Sequence, residues 1–396
     1  MAVVKFEDVA TRVNTKEDRH NTDLVYYVGG DHIDSESLKV SKRGIIKGAP
    51  LGPMFYFGFK PGDILFVTRN PHLRKCAMVD FAGICSEKTL VIATKDETVL
   101  CQKYLAGVMQ SDDFWDFLEE NKSGSVNYFI NWSTLAEYEF DLPPIEEQRA
   151  LAEKLWAAND LKEKYQHLLA ATDEMLKAKF REMFGDCDDG AGYPIRRIVD
   201  FAELVTKGTT PTSVGIQFEP SGVRFVKAEN ITDEGEFLAP QMMHISHECH
   251  NKLRRSQLQA GDYLFTIAGV IGRVAIVPES MLPANTNQAI CILRMKDVPE
   301  LNKDFFKIIL RSEYVRSQCE GKQKQTAQAN ISLTDVNNLL IPFPPIGLQR
   351  EFVAIANAAE ASKAELKKSI TSIDAVMKGL INSECALRIG GEKCRD

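Results

Sequence analysis

The chain is written twice, with an offset of about 200 residues. Lys60-Pro-Gly-Asp-Ile-Leu-Phe66 recurs as Gln259-Ala-Gly-Asp-Tyr-Leu-Phe265, and Leu142-Pro-Pro-Ile-Glu-Glu-Gln-Arg149 recurs as Phe343-Pro-Pro-Ile-Gly-Leu-Gln-Arg350. Between these anchors Asn131-Trp-Ser133 lies where Asn330-Ile-Ser332 lies. Order and spacing agree at three points. Two copies are too few for a solenoid, and 396 residues are too many for one compact core. The repeat therefore predicts a duplicated protein of two domains with pseudo-twofold internal symmetry.

Each half has the same plan. Short β-like runs come first, among them Ile64–Val67, Leu90–Ala93, Tyr263–Ile267 and Ala289–Leu293, bounded by Gly, Pro and Asp. Their apolar residues do not alternate, as expected of strands buried on both faces. Helical stretches follow at Gln102–Glu120 and Lys303–Cys319. Each half then closes with Pro-Pro, which suits a helix start, and a long segment free of Pro. In the first copy Glu146 and Glu147 complement the helix dipole, and Gly185 is a natural stop. Leu151, Leu155, Ala158, Leu161, Tyr165, Leu168, Leu169, Thr172, Met175 and Leu176 keep three-four spacing there, and Phe352, Ala359, Leu366, Ile373 and Leu380 recur every seven residues in the second. Two such stripes in one chain predict an intramolecular antiparallel coiled coil. The fold class is thus α+β: a first domain at 1–142, a helix at 143–185, a second domain at 186–342, a helix at 343–384 and a flexible tail at 385–396.

Composition narrows the function. Hydrophobic residues make up 44% and charged residues 26%, as in ordinary globular chains. No run of eighteen apolar residues suggests a membrane span, and Met1–Asp18 lacks the apolar core of a signal peptide. Nine cysteines without a CxxC pair fit buried small residues in a reducing, cytoplasmic setting rather than a disulfide or zinc framework. A net charge of −7 argues against a bulk polyanion binder, but not against one whose basic residues are gathered on one face.

Two such domains, each followed by Pro-Pro-Ile-x-x-Gln-Arg and a coiled-coil helix, resemble the specificity (S) subunit of type I restriction-modification systems over essentially residues 1–383. The first half carries Tyr27-Val-Gly-Gly-Asp-His-Ile33, Phe59–Phe66, Arg69–Lys75 and Asp80-Phe-Ala-Gly-Ile-Cys-Ser86. The second carries Lys207-Gly-Thr-Thr-Pro211, Val226-Lys-Ala-Glu-Asn-Ile-Thr232, Ser256–Asp262 and Gly269-Val-Ile-Gly272. One departure is Gly347-Leu348, which replaces the acidic pair of the first Pro-Pro motif. The resemblance implies two target-recognition domains on double-stranded DNA, each reading half of a bipartite, asymmetric site. It implies that two methyltransferase subunits dock on the spacer helices, near Pro143, Pro144, Gln148, Arg149, Pro344, Pro345, Gln349 and Arg350, and that a restriction/translocase subunit joins them. S-adenosylmethionine, ATP and Mg would belong to those partners, with no cofactor in this chain.

Phosphate contacts draw on Lys, Arg, Asn, Ser and Thr, whereas base reading needs forked or paired groups. In the first half the densest candidates are Arg69, Asn70, His72, Arg74 and Lys75, with Lys42 and Arg43 in another loop. In the second half they are Lys207, Thr209 and Thr210, then Lys227 and Asn230, Arg254 and Arg273, and Lys322, Lys324 and Gln325. Solvated surface charge is the competing reading of each.

Catalytic readings fare worse. His244, His247, Cys249 and His250 hold zinc donors at a spacing that matches no standard site. Asp141-Leu-Pro-Pro144 lacks both the placement and the aromatic of an adenine-methyltransferase motif, and no phosphate-binding Gly loop or nucleophile elbow occurs. The expectation is a chain that is not an enzyme by itself. The rival class is a protein-interaction scaffold with duplicated binding domains.

Overall fold

A computed structural model describes residues 2–185, 192–320 and 330–385. The expected tail lies almost wholly outside them, as does the 321–329 segment. The chain divides into two units, Met1–Leu168 with Leu366–Asp396, and Leu169–Glu365. Among the described residues no helix is long and apolar enough to cross a membrane.

In the first unit the strands are β1 (Ala2–Lys5), β2 (Ala10–Val13), β3 (Tyr26–Val28), β4 (Gly44–Ile45), β5 (Phe55–Phe59), β6 (Ile64–Val67), β7 (Cys76–Met78), β8 (Gly83–Ser86), β9 (Thr89–Thr94) and β10 (Glu139–Leu142). They form an antiparallel sheet ordered β2-β9-β6-β7, a second sheet ordered β4-β3-β8-β5 in which β3 and β8 run parallel, and a closing pair β1-β10. The second unit contains β11 (Ile195–Arg197), β12 (Ala202–Lys207), β13 (Val223–Val226), β14 (Met243–Ile245), β15 (Tyr263–Thr266), β16 (Val274–Ile276), β17 (Ala284–Thr286), β18 (Ile290–Met295) and β19 (Leu340–Pro342). Its sheets repeat the scheme: β12-β18-β15-β16, then β14-β13-β17 with β13 parallel to β17, then β11-β19.

The non-alternating strands now have a physical account. Successive side chains on a strand point to opposite faces. On β6, Ile64 and Phe66 enter the core shared with the helices, while Leu65 and Val67 enter the core between the two sheets. On β15, Tyr263 and Phe265 face the helices and Leu264 faces the other sheet. The Gly-Asp motif before each strand makes the turn that admits it. Gly62 and Gly261 sit at φ 93° and 85°, and the following Asp63 and Asp262 carboxylates accept hydrogen bonds of 2.8 Å from the Lys60 and Gln259 amides.

The expected single helices are each broken in two. Gln102–Val108 and Asp112–Glu120 are separated at Ser111, whose hydroxyl caps the second by accepting from the Phe114 amide at 3.2 Å. Lys303–Arg311 and Glu313–Glu320 break likewise at Ser312, whose backbone is extended.

The first long helix spans Ile145–Phe184 and the second Ile346–Glu384. In the first unit Ala152 and Leu155 share a core with Met377 and Ile381, and Lys162 pairs with Asp374 at 2.6 Å. In the second, Phe180 and Phe184 pack on Phe352 at centroid distances of 5.5 and 5.3 Å, and Lys363 pairs with Asp173 at 2.7 Å. In each unit taken by itself, moving forward along the first helix moves back along the second, from Met377 and Ile381 to Asp374 in the first unit and from Lys363 to Phe352 in the second, so the pairing is antiparallel in both. Part of the expected apolar seam lies elsewhere. Leu161, Leu168 and Met175 are 41%, 49% and 47% exposed. A residue step turns a helix by about 100°, so Leu161 is rotated well away from Lys162, the residue that meets the partner helix.

Candidate nucleic-acid interface

Between β6 and β7 the chain makes a short turn at Pro71–Leu73, flanked by two left-handed residues, Asn70 (φ 54°, ψ 62°) and Arg74 (φ 47°, ψ 49°). Outside glycine each such residue costs roughly 1–2 kcal/mol, so the surroundings must hold this loop in place. They do so largely through residues expected to touch DNA. Arg74 turns inward to Glu36 at 3.2 Å, to the Asp112 carboxylate, and to Asp116 at 3.7 Å. The Lys75 ammonium donates to the Gly30 carbonyl at 2.8 Å. Arg69 lies over the Phe129 ring at 5.0 Å. Asn70 and His72 remain exposed at the tip. Arg74 and Lys75 are braces of the loop, and Asn70, His72 and Arg69 are the groups it presents.

One element of this surface was not picked out from the sequence. Ser123–Phe129 forms a finger closed by paired hydrogen bonds, Ser123 amide to Phe129 carbonyl at 2.9 Å and the reverse at 3.0 Å. The Asn70 amide donates to the Tyr128 carbonyl at 3.2 Å, which ties the finger to the loop. Lys122 sits over Tyr128 at 4.3 Å. By the offset of the repeat this finger corresponds to the 321–329 segment. Lys322, Lys324 and Gln325, nominated there by charge, fall outside the described residues. The first-half copy carries little charge, so the same criterion passed over it.

The other first-half candidates have their partners outside the 69–75 loop. Lys42 pairs with Asp34 at 2.6 Å, and exposed Arg43 stacks over Tyr26 at 4.1 Å and Phe81 at 4.7 Å. In the second unit Lys207 ends β12, the Thr209 amide donates to the Thr286 carbonyl at 3.1 Å, and the Thr210 hydroxyl bonds Gln288. Lys227 lies over Phe218 at 5.4 Å and pairs with Glu229 at 3.5 Å. Arg273 is braced by Asp233 at 2.7 Å, as Arg74 is by Glu36. Arg254 and its neighbour Arg255 are exposed on a short turn. Asn230 is a correction. It is 2% exposed, accepts from the Lys227 amide at 2.9 Å and donates to the Gln241 carbonyl at 3.3 Å, so its side chain closes a turn rather than standing on the surface.

The Pro-Pro motifs need a correction too. Gln148 and Gln349 are fully buried, so their side chains are not offered to a partner. Gln148 Oε1 accepts from the Cys101 amide at 2.9 Å, while Nε2 donates to the Val99 and Pro143 carbonyls at 3.0 and 2.8 Å. Gln349 repeats the set with the Asn302 amide at 2.8 Å and the Glu300 and Pro344 carbonyls at 2.9 and 2.7 Å. Each glutamine fastens the start of its long helix to the loop that begins the domain's short helices. Pro344 is buried as well, while Pro144, Pro345, Arg149 and Arg350 are exposed and Pro143 is half-buried.

The histidine-rich stretch has structural partners. Cys249 is packed in a small core with Phe225 and Ile245, and the His250 ring bonds the buried amide of Asn285. Burial pushes the Cys85 and Cys291 thiols up to about 12, as expected of inert core cysteines.

Residues 191–373 match the family described as the type I restriction modification DNA specificity domain. The chain is 24% identical over 302 residues to the type I restriction enzyme EcoBI specificity subunit of Escherichia coli, covering 69% of this chain and 62% of that protein. It thus spans about three fifths of that relative's length. Among solved structures, a chain from a study of complex assembly and conformational transition of the type I R-M system superposes with a TM-score of 0.59 at 20% identity, covering 96% of both chains. The S subunit of a type I restriction-modification system from M. genitalium superposes with a TM-score of 0.58 at 12% identity, covering 98% of this chain and 96% of that one. The duplicated pair of domains with two long helices is thus the fold of these solved structures, and within it residues 191–373 match the type I restriction modification DNA specificity domain.

Proposed function

We propose that this chain reads a bipartite, asymmetric DNA site, one half with each recognition domain, and carries two methyltransferase subunits on its long helices. The recognition domains are residues 1–142 and 186–342, closed by the β1-β10 and β11-β19 pairs. The spacer helices are 143–185 and 343–384. Adenine methylation from S-adenosylmethionine, and ATP- and Mg-dependent cleavage where a restriction/translocase subunit joins, take place in the partners. This chain supplies the address.

One observation carries the reading. The two domains share the strand order of their four-stranded antiparallel sheet but differ where its β6–β7 and β15–β16 turns emerge: Arg69–Lys75 in one, Gly269–Arg273 in the other. One frame with two different tips suits a reader of two different words. A plain interaction scaffold gives no reason for that combination.

The test is a domain exchange. Replacing residues 1–141 with the matching domain of another system, followed by methylome sequencing, should change one half of the methylated site and leave the other intact. A change in both halves, or in neither, with the complex still methylating, overturns the modular reading.

A further inference from the structure

We infer that the Ser123–Phe129 finger is a base-reading element and that Val126 at its tip recognises the 5-methyl group of a thymine. The inference rests on the proposed DNA reading and adds a residue and a base to it. Three observations meet here. Val126 is 84% exposed, the highest value among the exposed large hydrophobic side chains of the described residues. The finger that carries it is anchored, by its own paired backbone bonds and by the Asn70–Tyr128 bond to the β6–β7 turn. Its base is flanked by cations whose side chains lie along the finger's aromatic residues, Lys122 on Tyr128 and Arg69 on Phe129.

A single exposed valine on a surface needs no explanation. A valine on the tip of an anchored, cation-flanked finger is different, because the cations suit phosphates on either side of a groove. On the edges of base pairs in the major groove, the thymine methyl is the one apolar group. The neighbouring Asn127 and Asn70 side chains are exposed, and a carboxamide is the group that pairs with the N6 and N7 edge of adenine. An apolar tip beside exposed carboxamides therefore suits a T·A pair best. Arg69 adds stiffness, since its guanidinium donates to the Asn127 carbonyl at 3.4 Å. The reading group is thereby held at a fixed height above the loop.

The experiment uses the chain assembled with its methyltransferase subunits and duplex DNA bearing the methylated site. Each thymine in the half-site assigned to residues 1–142 is replaced in turn by deoxyuridine, which removes only the methyl. Burying one such group is worth about 0.8 kcal/mol, so one position should lose about fourfold in affinity. With Val126→Ala that penalty should fall close to one, and with Val126→Ile it should persist. A half-site without a sensitive thymine overturns the inference, and so does a penalty that Val126→Ala leaves unchanged. If exchanging residues 1–141 fails to redirect either half-site, the DNA reading itself has failed. If the exchange succeeds and the uridine series is flat, only the role of the finger has.

Discussion

Asn382 holds Asp112 through two hydrogen bonds: the Asp112 amide donates to Asn382 Oδ1 at 3.0 Å, and Asn382 Nδ2 donates to Asp112 Oδ2 at 2.6 Å. One residue belongs to the last turn of the second long helix, the other to the first turn of Asp112–Glu120. Asp112 also takes the Arg74 guanidinium, so a spacer helix and the strained β6–β7 turn are joined through one carboxylate. The hydrogen bond from Arg74, working against partial burial and helped by Asn382 and Lys378, holds that carboxyl below the usual range.

Breaking this joint should loosen the loop. In Asn382→Ala the Asp112 amide and carboxylate each lose a partner, at a cost of about 1 kcal/mol. Amide exchange across Leu73–Lys75 should quicken more than exchange in β6, because the Asp112 carboxylate that pairs with the left-handed Arg74 is then less firmly held. Equal protection of the loop in both proteins, measured by hydrogen–deuterium exchange, would dissolve the coupling. The pH sense follows from the depressed carboxyl: stability from this group is present above its unfolded value and is lost as pH falls through the folded one.

The buried glutamines make a second prediction. Gln148→Ala strips partners from the Cys101 amide and from two carbonyls in a dry site, which should cost about 3 kcal/mol and lower the denaturant midpoint of the first unit. Gln349→Ala should do the same in the second. Gln148→Glu should fare little better, since a carboxylate cannot donate to the Val99 and Pro143 carbonyls. An unshifted midpoint for Gln148→Ala would mean that the long helix is fastened by its apolar contacts alone.

Asp63 and Asp262 should respond oppositely to one substitution. Asp262 is gripped by Arg294 through two hydrogen bonds of 2.8 and 2.9 Å. No described cation makes a salt bridge to Asp63, and burial, only partly offset by the Lys60 amide and charge, raises its carboxyl above the usual range. An acid raised in the folded state binds its proton more tightly there. Its stabilising share is therefore greatest at low pH and is lost as pH rises from the unfolded value to the folded one. Asp63→Asn keeps the acceptor for Lys60 and removes the buried charge, so stability at pH 7 should increase and its decline across that window should flatten. Asp262→Asn strands Arg294 and should cost about 2 kcal/mol, less than the ~3–5 of a fully buried pair because Arg294 is 22% exposed. Denaturant midpoints from pH 4 to 8 decide it, and a gain in both or a loss in both would refute the contrast.

What the sequence revealed was what neighbouring residues encode together. The repeat, the Gly-Asp turns and the Pro-Pro helix starts are local patterns, and the fold follows them. The interface was less legible because charge identifies a residue type but not its partner. Arg74 looked like a DNA contact, yet its partners Glu36 and Asp112 are each 38 positions away in the chain. Asn230 has the chemistry of a base reader and spends it on a turn. The finger went unnoticed for the converse reason: Ser-Gly-Ser-Val-Asn-Tyr has no charge to mark it, and only the fold brings it to Asn70. The helix seam was half read, since a seven-residue stripe fixes a face without saying which neighbouring face meets the partner.

The helices should act as a ruler for the unread gap between half-sites. A helix rises about 1.5 Å per residue, so one added heptad lengthens it by roughly 10 Å. DNA advances about 3.4 Å per base pair, which converts that length to about three pairs. The antiparallel register requires the insertions to face each other. The pairs Lys162–Asp374 and Asp173–Lys363 bracket the place, after Leu168 on the first helix and after Lys367 on the second. A heptad in both keeps Leu155, Met377 and Ile381 in one seam and Phe180 and Phe352 in the other. Two added residues would instead rotate each seam by about 200° and should stop the protein folding. Bending of the DNA can absorb about one pair of the change. Methylome sequencing of a host carrying the double-heptad variant reads the gap directly. Methylation that persists at the original spacing would show that the long helices dock partners without setting the distance between the two words.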